Sequence, residues 1–355
     1  ITDVDQDASH WFNGYQNTKW LSEPYNITIK HLLSMTSGIE WDENRSASDP
    51  RHDYFAMRRG GDWIRYVFNK ELVAPPGQKF NYNGGLSALL GEIIKRASGI
   101  DAEKFCEKYL FDPLGISQYS WLKYNNGSIN TGGGLLLRSR DMAKIGQMVL
   151  SNGKFENKRI VSEQWIIEST KNQVLEKANP FGSGYGYQWW LGERTVNGEI
   201  VKVVIAQGRG GQCIFIIPKA NAIAVFTSQL VNNGGVFFRP QVMMTEYIIP
   251  ALFPQASPVN KFAVDSALLE KYVGRYEDKW FHFEVSITIK DKKLILNPHR
   301  LGRKMELFPI SKTTFYGNLE NIGNIEVRFP KNDNGSLDDM TMRIGFTHLL
   351  FDKLK

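Results

Sequence analysis

Residues 80–99 read FNYNGGLSALLGEIIKRASG, and this stretch organises the N-terminal part of the chain. Leu86, Leu89, Leu90, Ile93, Ile94 and Ala97 recur at intervals of three and four, the spacing that lines one face of an α-helix. Gly99 closes that helix, because glycine enters the left-handed conformation of a helix end without a Cβ penalty. Ahead of it, Tyr82-Asn83-Gly84-Gly85 places a phenol, an amide and two glycines at the helix mouth. The stretch therefore reads as a buried helix with chemistry at its start.

Further helices surround this one. Thr28 reads as the N-cap of a short helix carrying His31, Leu32 and Leu33, with Gly38 as its stop. Asp101 caps a helix through Phe105 and Tyr109 that ends before Asp112-Pro113. Ser139 begins a helix through Met142, Ile145 and Val149 that Gly153 ends, and Ser162 caps another around Trp165 and Ile166. After Phe181 the pattern turns to strands. Tyr185 to Trp190, Val201 to Ala206, Cys213 to Ile217 and Ala222 to Thr227 are short, rich in β-formers and bounded by Gly, Asn or Pro.

Ile249 to Pro258 reads as a linker, since three prolines (Pro250, Pro254, Pro258) deny the backbone its ladder donors. Beyond it, Phe281, Phe283, Val285, Ile287 and Ile289 alternate with His282, Glu284, Ser286 and Thr288, giving one buried and one wet face. Leu294 to Leu296, Ile325 to Phe329 and Met340 to Ile344 continue the theme, with Asn332-Asp333-Asn334-Gly335 as a hairpin turn. The expected architecture is α/β (α+β): residues 1–255 as an antiparallel sheet flanked by helices, and 256–355 as a small antiparallel β-barrel or sandwich.

Composition narrows the function. Of 355 residues, 42% are apolar and 23% charged, as in an ordinary globular protein. The net charge of +6 is scattered, with no basic tract to suggest nucleic acid. No apolar run approaches a membrane span. Cys106 and Cys213 stand alone, and the six His residues (10, 31, 52, 282, 299, 348) are isolated, so neither a metal nor another cofactor is expected. G-x-S-x-G is absent, and Gly132-Gly133-Gly134 lacks the partners of a phosphate loop.

Three segments remain: His31-Leu32-Leu33-Ser34-Met35-Thr36-Ser37-Gly38-Ile39, Phe80 to Gly85, and Gly208-Arg209-Gly210-Gly211-Gln212. Singly they are a helix stop, a turn before a helix and a Gly-rich hairpin. In this order, with Phe111 to Ile116, Gly133-Gly134-Leu135, Ser139 to Met142 and Tyr185 to Trp190 between or around them, the chain resembles the serine beta-lactamase-related hydrolases. That family includes class C beta-lactamases, D-alanyl-D-alanine carboxypeptidases, esterases and 6-aminohexanoate-oligomer hydrolases. The C-terminal region resembles the lipocalin-like domain that some members carry.

The resemblance implies a bacterial serine hydrolase that opens an amide or ester through an acyl-serine. Its partner would be a small-molecule or peptide-like substrate. An extracytoplasmic, periplasmic location would follow from the family. Tyr82 would shuttle protons, which needs a neighbouring cation because a free phenol has a pKa of about 10. The N–H of Gln212 would be an oxyanion donor, and Asn83, Gly84, Arg209, Gly210 and Gly211 would line the substrate site. Arg209 would pair with a substrate carboxylate.

Two departures qualify this. The Asn of the family's Y-x-N falls on Gly84, which has no side chain to donate to an acylamide, so the substrate shifts toward esters or oligomer amides. The family's S-x-x-K precedes the His31–Ile39 segment, and Ile1 to Phe12 matches the loop after that helix. The nucleophile Ser and its Lys are thus expected outside this chain, together with the first strands of the sheet. By itself the chain is expected to fold poorly and be nearly inactive. Ser120 to Lys123 and Ser151 to Lys154 are the S-x-x-K matches present, and both follow Tyr82. The alternative reading is a non-catalytic penicillin-recognising-type binder of cell-wall fragments or peptides. A third makes the C-terminal barrel a container for an apolar ligand, lined by Phe281, Phe283, Val285 and Ile287.

Overall fold

The computed structural model describes residues 3–15, 17–22, 26–45, 49–124, 127–174, 184–196, 199–228, 239–253, 264–279, 282–299, 303–319, 323–330, 337, 339–344 and 347–354. Phe181, Pro254 to Pro258, Phe281 and Asn332 to Gly335, which entered the reading of the sequence, lie outside them.

The N-terminal region is built around a five-stranded antiparallel meander: β1 (Gly184–Tyr185), β2 (Trp190–Val196), β3 (Glu199–Gln207), β4 (Cys213–Ile217) and β5 (Ala222–Phe226). Every residue of β4 is buried. Cys213, Phe215 and Ile217 pack into one apolar cluster and Ile214 and Ile216 into another. Helices therefore cover both faces, as a period of two requires of a strand between two cores. The helix Ser139–Leu150 lies on one face, where Gly146 allows close approach: a Cβ there would stand 2.9 Å from Ile223 and 3.0 Å from Ile214. On the other face the helix Gly84–Ser98 buries Leu86, Leu89 and Ile93. Gly99 ends it at φ 70°, in the left-handed region. Both cysteines are free thiols.

Local expectations needed three corrections. The helix at Thr28 is capped as expected, Thr28 Oγ1 accepting from the His31 N–H, but it spans only Ile29–Leu33 and ends at Ser34. Gly38 serves a different purpose: at φ 79° its backbone meets Ala74, and a Cβ would stand 2.0 Å from the Ala74 carbonyl. Tyr185 to Trp190 is two strands rather than one. Gln188, at φ 64°, turns the chain while its Nε2 donates to the Leu33 carbonyl and its Oε1 accepts from Ser87. Ile249–Leu252, read as linker, is the end of a helical run formed by Arg239–Met243, a π-turn at Met244–Ile248, and Ile249–Leu252. Pro250 sits in the first turn after the π-turn, where a missing N–H is tolerated.

The C-terminal region is a closed barrel of eight antiparallel strands in sequence order. They are β6 (Gly274–Asp278), β7 (Glu284–Lys290), β8 (Lys293–Pro298), β9 (Met305–Pro309), β10 (Thr314–Leu319), β11 (Gly323–Arg328), β12 (Asp339–Ile344) and β13 (Thr347–Lys353). β13 closes on β6, so no edge is left. Val285, Ile287, Leu296, Val327, Met342 and Phe351 point inward among fourteen or more buried apolar side chains of one cluster. The interior is a packed core, as an eight-stranded barrel allows.

The barrel meets the N-terminal region through named contacts. Arg343 Nη2 donates to the Glu193 carbonyl at 3.0 Å. Gln241, fully buried, links Thr347 of β13 to Gln207, the last residue of β3. Among the described residues no helix is long and apolar enough to cross a membrane.

Candidate active site

Tyr82 leaves the turn just before the helix Gly84–Ser98 and stacks on Trp190 of β2 at 5.3 Å. It retains partial access to solvent although protein surrounds it. Burial raises its pKa, and Glu43 and Tyr54 add to the effect. No cation acts on it among the described residues, so the lysine-like charge expected beside Tyr82 is not supplied here.

Asn83 is 1% exposed and is the N-cap of the helix. Its Oδ1 accepts from the Gly85 N–H at 2.9 Å and the Leu86 N–H at 3.2 Å, satisfying two of the free donors of a helix start. Its Nδ2 is buried without a hydrogen-bond partner among the described residues. Gly84 donates its N–H to Glu43 Oε1 at 2.6 Å.

Gly208 to Gln212 is the hairpin turn between β3 and β4. The Gly208 N–H donates to the Gln212 carbonyl at 2.8 Å and the Gly211 N–H to the Gly208 carbonyl at 3.0 Å. Gly211 needs its φ of 85° to make that turn. The Gln212 side chain braces the loop from within, accepting from the Gly210 N–H and donating to the Ser228 carbonyl. The backbone N–H of Gln212 has no acceptor among the described residues. Arg209 is exposed beside the buried Gly210 and Gly211, and its guanidinium reaches across to His52 and the Arg45 carbonyl. Nη1 donates to His52 Nε2 at 2.6 Å, Nη2 to the Arg45 carbonyl at 3.3 Å, and the group lies 5.6 Å from the Phe55 ring centre. His52 is fully buried, and burial followed by the charge of Arg209 lowers its pKa. A neutral imidazole is what can accept from a guanidinium.

Glu43, Tyr54, Asn130 and His52 complete the site. Glu43 Oε1 accepts from Trp41 Nε1 at 2.6 Å as well as from Gly84. Burial raises the Glu43 pKa to about 7 against these two hydrogen bonds and the charge of Arg209, with Asp53 adding a small upward push. Tyr124 donates to Asn130 Oδ1 at 2.9 Å, and Asn130 Nδ2 donates to the Tyr54 hydroxyl at 2.6 Å. Tyr54 lies against the Gly132-Gly133 loop and Gly84. Gly132 and Gly133 are therefore a wall of this site, a role their sequence did not reveal. Glu43 and Tyr54 carried no signal either, because their burial depends on segments some forty and eighty residues away meeting them.

The two S-x-x-K matches are elsewhere in character. Ser120 is exposed and Lys123 pairs with Glu103 at 3.0 Å, while Lys154 is exposed after a helix end. Neither forms the buried Ser–Lys unit that this chemistry needs. No group of three or more His, Cys, Asp or Glu residues able to hold a metal occurs among the described residues.

The beta-lactamase family profile matches residues 3–243. The chain belongs to the beta-lactamase family. Residues 260–353 match a second profile, a domain of unknown function. The 6-aminohexanoate-dimer hydrolase of Paenarthrobacter ureafaciens is 26% identical over 216 residues, covering 56% of this chain and 53% of that protein. Protein flp of Staphylococcus aureus is 30% identical over 129 residues, 36% of this chain and 23% of that one. The chain thus spans about half or less of the curated relatives it matches. Among solved structures, the octameric penicillin-binding protein homologue from Pyrococcus abyssi superposes with a TM-score of 0.54 at 21% identity, covering 98% of this chain and 82% of that one. A Bacillus anthracis protein assigned to the 6-aminohexanoate-dimer hydrolases gives 0.57 at 22% identity, over 71% and 68%. At these identities the superpositions speak for the fold: a beta-lactamase-type region, and in the first case the whole two-part chain.

Proposed function

We propose that the protein is a serine hydrolase that transfers an acyl group from an amide or ester to water, with the nucleophilic Ser and its Lys outside these 355 residues. The observation that carries this reading is the recessed site itself. In a beta-lactamase-family chain, Tyr82, the N–H of Gln212 and Arg209 stand where the resemblance expects the proton shuttle, an oxyanion donor and the partner of a substrate carboxylate, and this supports the reading. In this reading the Gln212 N–H stabilises the oxyanion, and losing one such donor typically costs on the order of 10²–10³ in rate. Tyr82 receives and returns the serine proton once a lysine stands beside it and lowers its pKa. His52 holds Arg209 where a substrate carboxylate would meet it.

Gly84 argues for linear esters or oligomer amides rather than beta-lactams, since no side chain there can donate to an acylamide carbonyl. The amide named for the Paenarthrobacter relative falls in that class.

The test compares turnover of p-nitrophenyl esters and nitrocefin by residues 1–355 and by the longer natural protein. The longer form should hydrolyse the ester, prefer it to nitrocefin, and lose about 10²–10⁴ of its rate in Tyr82→Phe. The short form should be slower by about 10⁶, the loss seen when a serine protease lacks its nucleophile. Covalent serine labelling of the short form at the rate of the long one would sink the reading.

A second reading, a non-catalytic binder of peptide-like ligands, is favoured by one observation: the Tyr82 phenol is held protonated with no cation acting on it. Ligand binding by the longer protein without any ester turnover would decide for it.

A further inference from the structure

Gly84 and Glu43 share one volume. A Cβ at Gly84 would stand 2.8 Å from Glu43 Oε1 and 2.7 Å from Tyr54 Cδ2. Real Cβ atoms do not approach so closely, so a side chain at position 84 and the carboxyl of Glu43 are alternatives for the same place. The carboxyl is held there firmly. Oε1 accepts two N–H groups, from Gly84 and from Trp41, each at 2.6 Å. Two charge-assisted bonds on one oxygen fix the plane of the group. Oε2 has no donor among the described residues.

Nor is Glu43 neutralised by an ion pair among the described residues. Arg209 is near enough for its charge to be felt, but its guanidinium donates to His52 and the Arg45 carbonyl. Asp53, which also acts on Glu43, is engaged by Lys70 and Tyr66. Tyr82, Tyr54 and Tyr124 are the remaining titratable groups that act on the carboxyl among the described residues, and all three are pushed up by burial. Glu43 keeps partial access to solvent while protein surrounds it. It is a partly exposed acceptor whose second oxygen is left for a ligand.

An amide side chain at position 84 would present a donor to the substrate; a carboxylate in its place presents an acceptor. We infer that Glu43 determines specificity at the acyl side of this site, taking acyl groups that carry a hydrogen-bond donor, a primary ammonium above all. The inference rests on the acyl-transfer reading for which end of the substrate lies here. A charged acceptor in a recessed site discriminates strongly, because it is left desolvated and unpaired by a ligand lacking the donor.

The experiment measures binding, which needs no nucleophile. Pairs of ω-amino amides and their unsubstituted counterparts, from glycinamide against acetamide to 6-aminohexanamide against hexanamide, are titrated calorimetrically into residues 1–355 or, should these not fold alone, into the longer protein. At pH 8.5 at least one amino amide should bind tenfold or more tightly than its counterpart. The preference should shrink to threefold or less at pH 5.5, where Glu43, with its pKa raised to about 7, is protonated. Glu43→Gln keeps an acceptor for Gly84 and Trp41 but turns a donor toward the ligand, and should abolish the preference at pH 8.5. Should that variant fail to fold, Gly84→Ala, which drives the carboxyl from its seat, should do the same. Equal binding of every pair by the wild type, or a preference that survives in the folded variants, overturns the inference. The two proposals can fail separately: Glu43-dependent amine binding without ester turnover by the longer protein keeps this one and removes the acyl-transfer reading.

Discussion

The barrel wall and the recessed site each gather polar side chains away from water, but they treat them differently. On the wall, Tyr316, Glu326, Arg343 and His348 face one another across four successive strands. Tyr316 donates to Glu326 Oε2 at 2.9 Å, Arg328 pairs with Glu326, and Arg343 donates to the Glu193 carbonyl. In the site, Asn83 Nδ2 is buried without a partner among the described residues, and Glu43, whose Oε1 takes two N–H groups, has no described donor on Oε2. A saturated polar cluster fixes how two regions sit together. An unsaturated one leaves bonding capacity that a ligand can complete. The barrel interior adds to the contrast, since apolar side chains make up most of its packed core.

The largest expected effect tests the wall. Burial, followed by the charge of Arg343, lowers the His348 pKa from 6.5 to about 4, against the opposing charge of Glu326. A histidine with a depressed folded pKa stabilises the fold fully above the unfolded value of 6.5. That contribution is lost as pH falls toward 4, because the unfolded chain takes up the proton first. Urea unfolding at pH 7 and pH 4 should show up to about 3 kcal/mol from this group, read as the part of the pH slope that His348→Gln removes. An unchanged slope in that variant would mean the ring is not held as described.

Next comes Arg343→Met, which leaves Glu326 with one fewer cation and the Glu193 carbonyl with one fewer donor. We expect a loss of about 2 kcal/mol in thermal or urea unfolding. Amide binding at the site should be unaltered, since wall and site are separate clusters. Altered binding at unchanged stability would break the comparison.

The smallest effect crosses from one side to the other. Asn83→Ala removes the helix cap and should cost about 1 kcal/mol of stability. It also removes the open Nδ2, so binding of the unsubstituted amides should weaken too. A stability loss with no change in binding would make Asn83 a cap alone. Away from the wall cluster, the Gln241 link between Thr347 and Gln207 joins the barrel to the strand that leads into the turn carrying Arg209 and Gln212.

Much of the fold was legible in the sequence because it rests on periodicity. The spacing from Leu86 to Ala97 gave the central helix, and the alternation around Val285 and Ile287 gave a barrel strand. Errors came where long-range contact overrode local pattern. Gly38 serves a close approach to Ala74 rather than a helix stop, Gln188 bends a strand because a distant helix holds its side chain, and Pro250 lies in the first turn of a helical segment rather than in a linker.

The site divides the same way. By itself the sequence determined where Tyr82, Asn83, Gly84 and the Arg209–Gln212 turn stand, because tight turns and helix starts demand particular residues at particular offsets. Only the tertiary structure decided that Glu43 fills the space left by Gly84, that His52 holds Arg209, and that Tyr54 and Asn130 wall the opening. Burial and charge proximity belong to segments far apart in the chain, and no local pattern encodes which of them will meet.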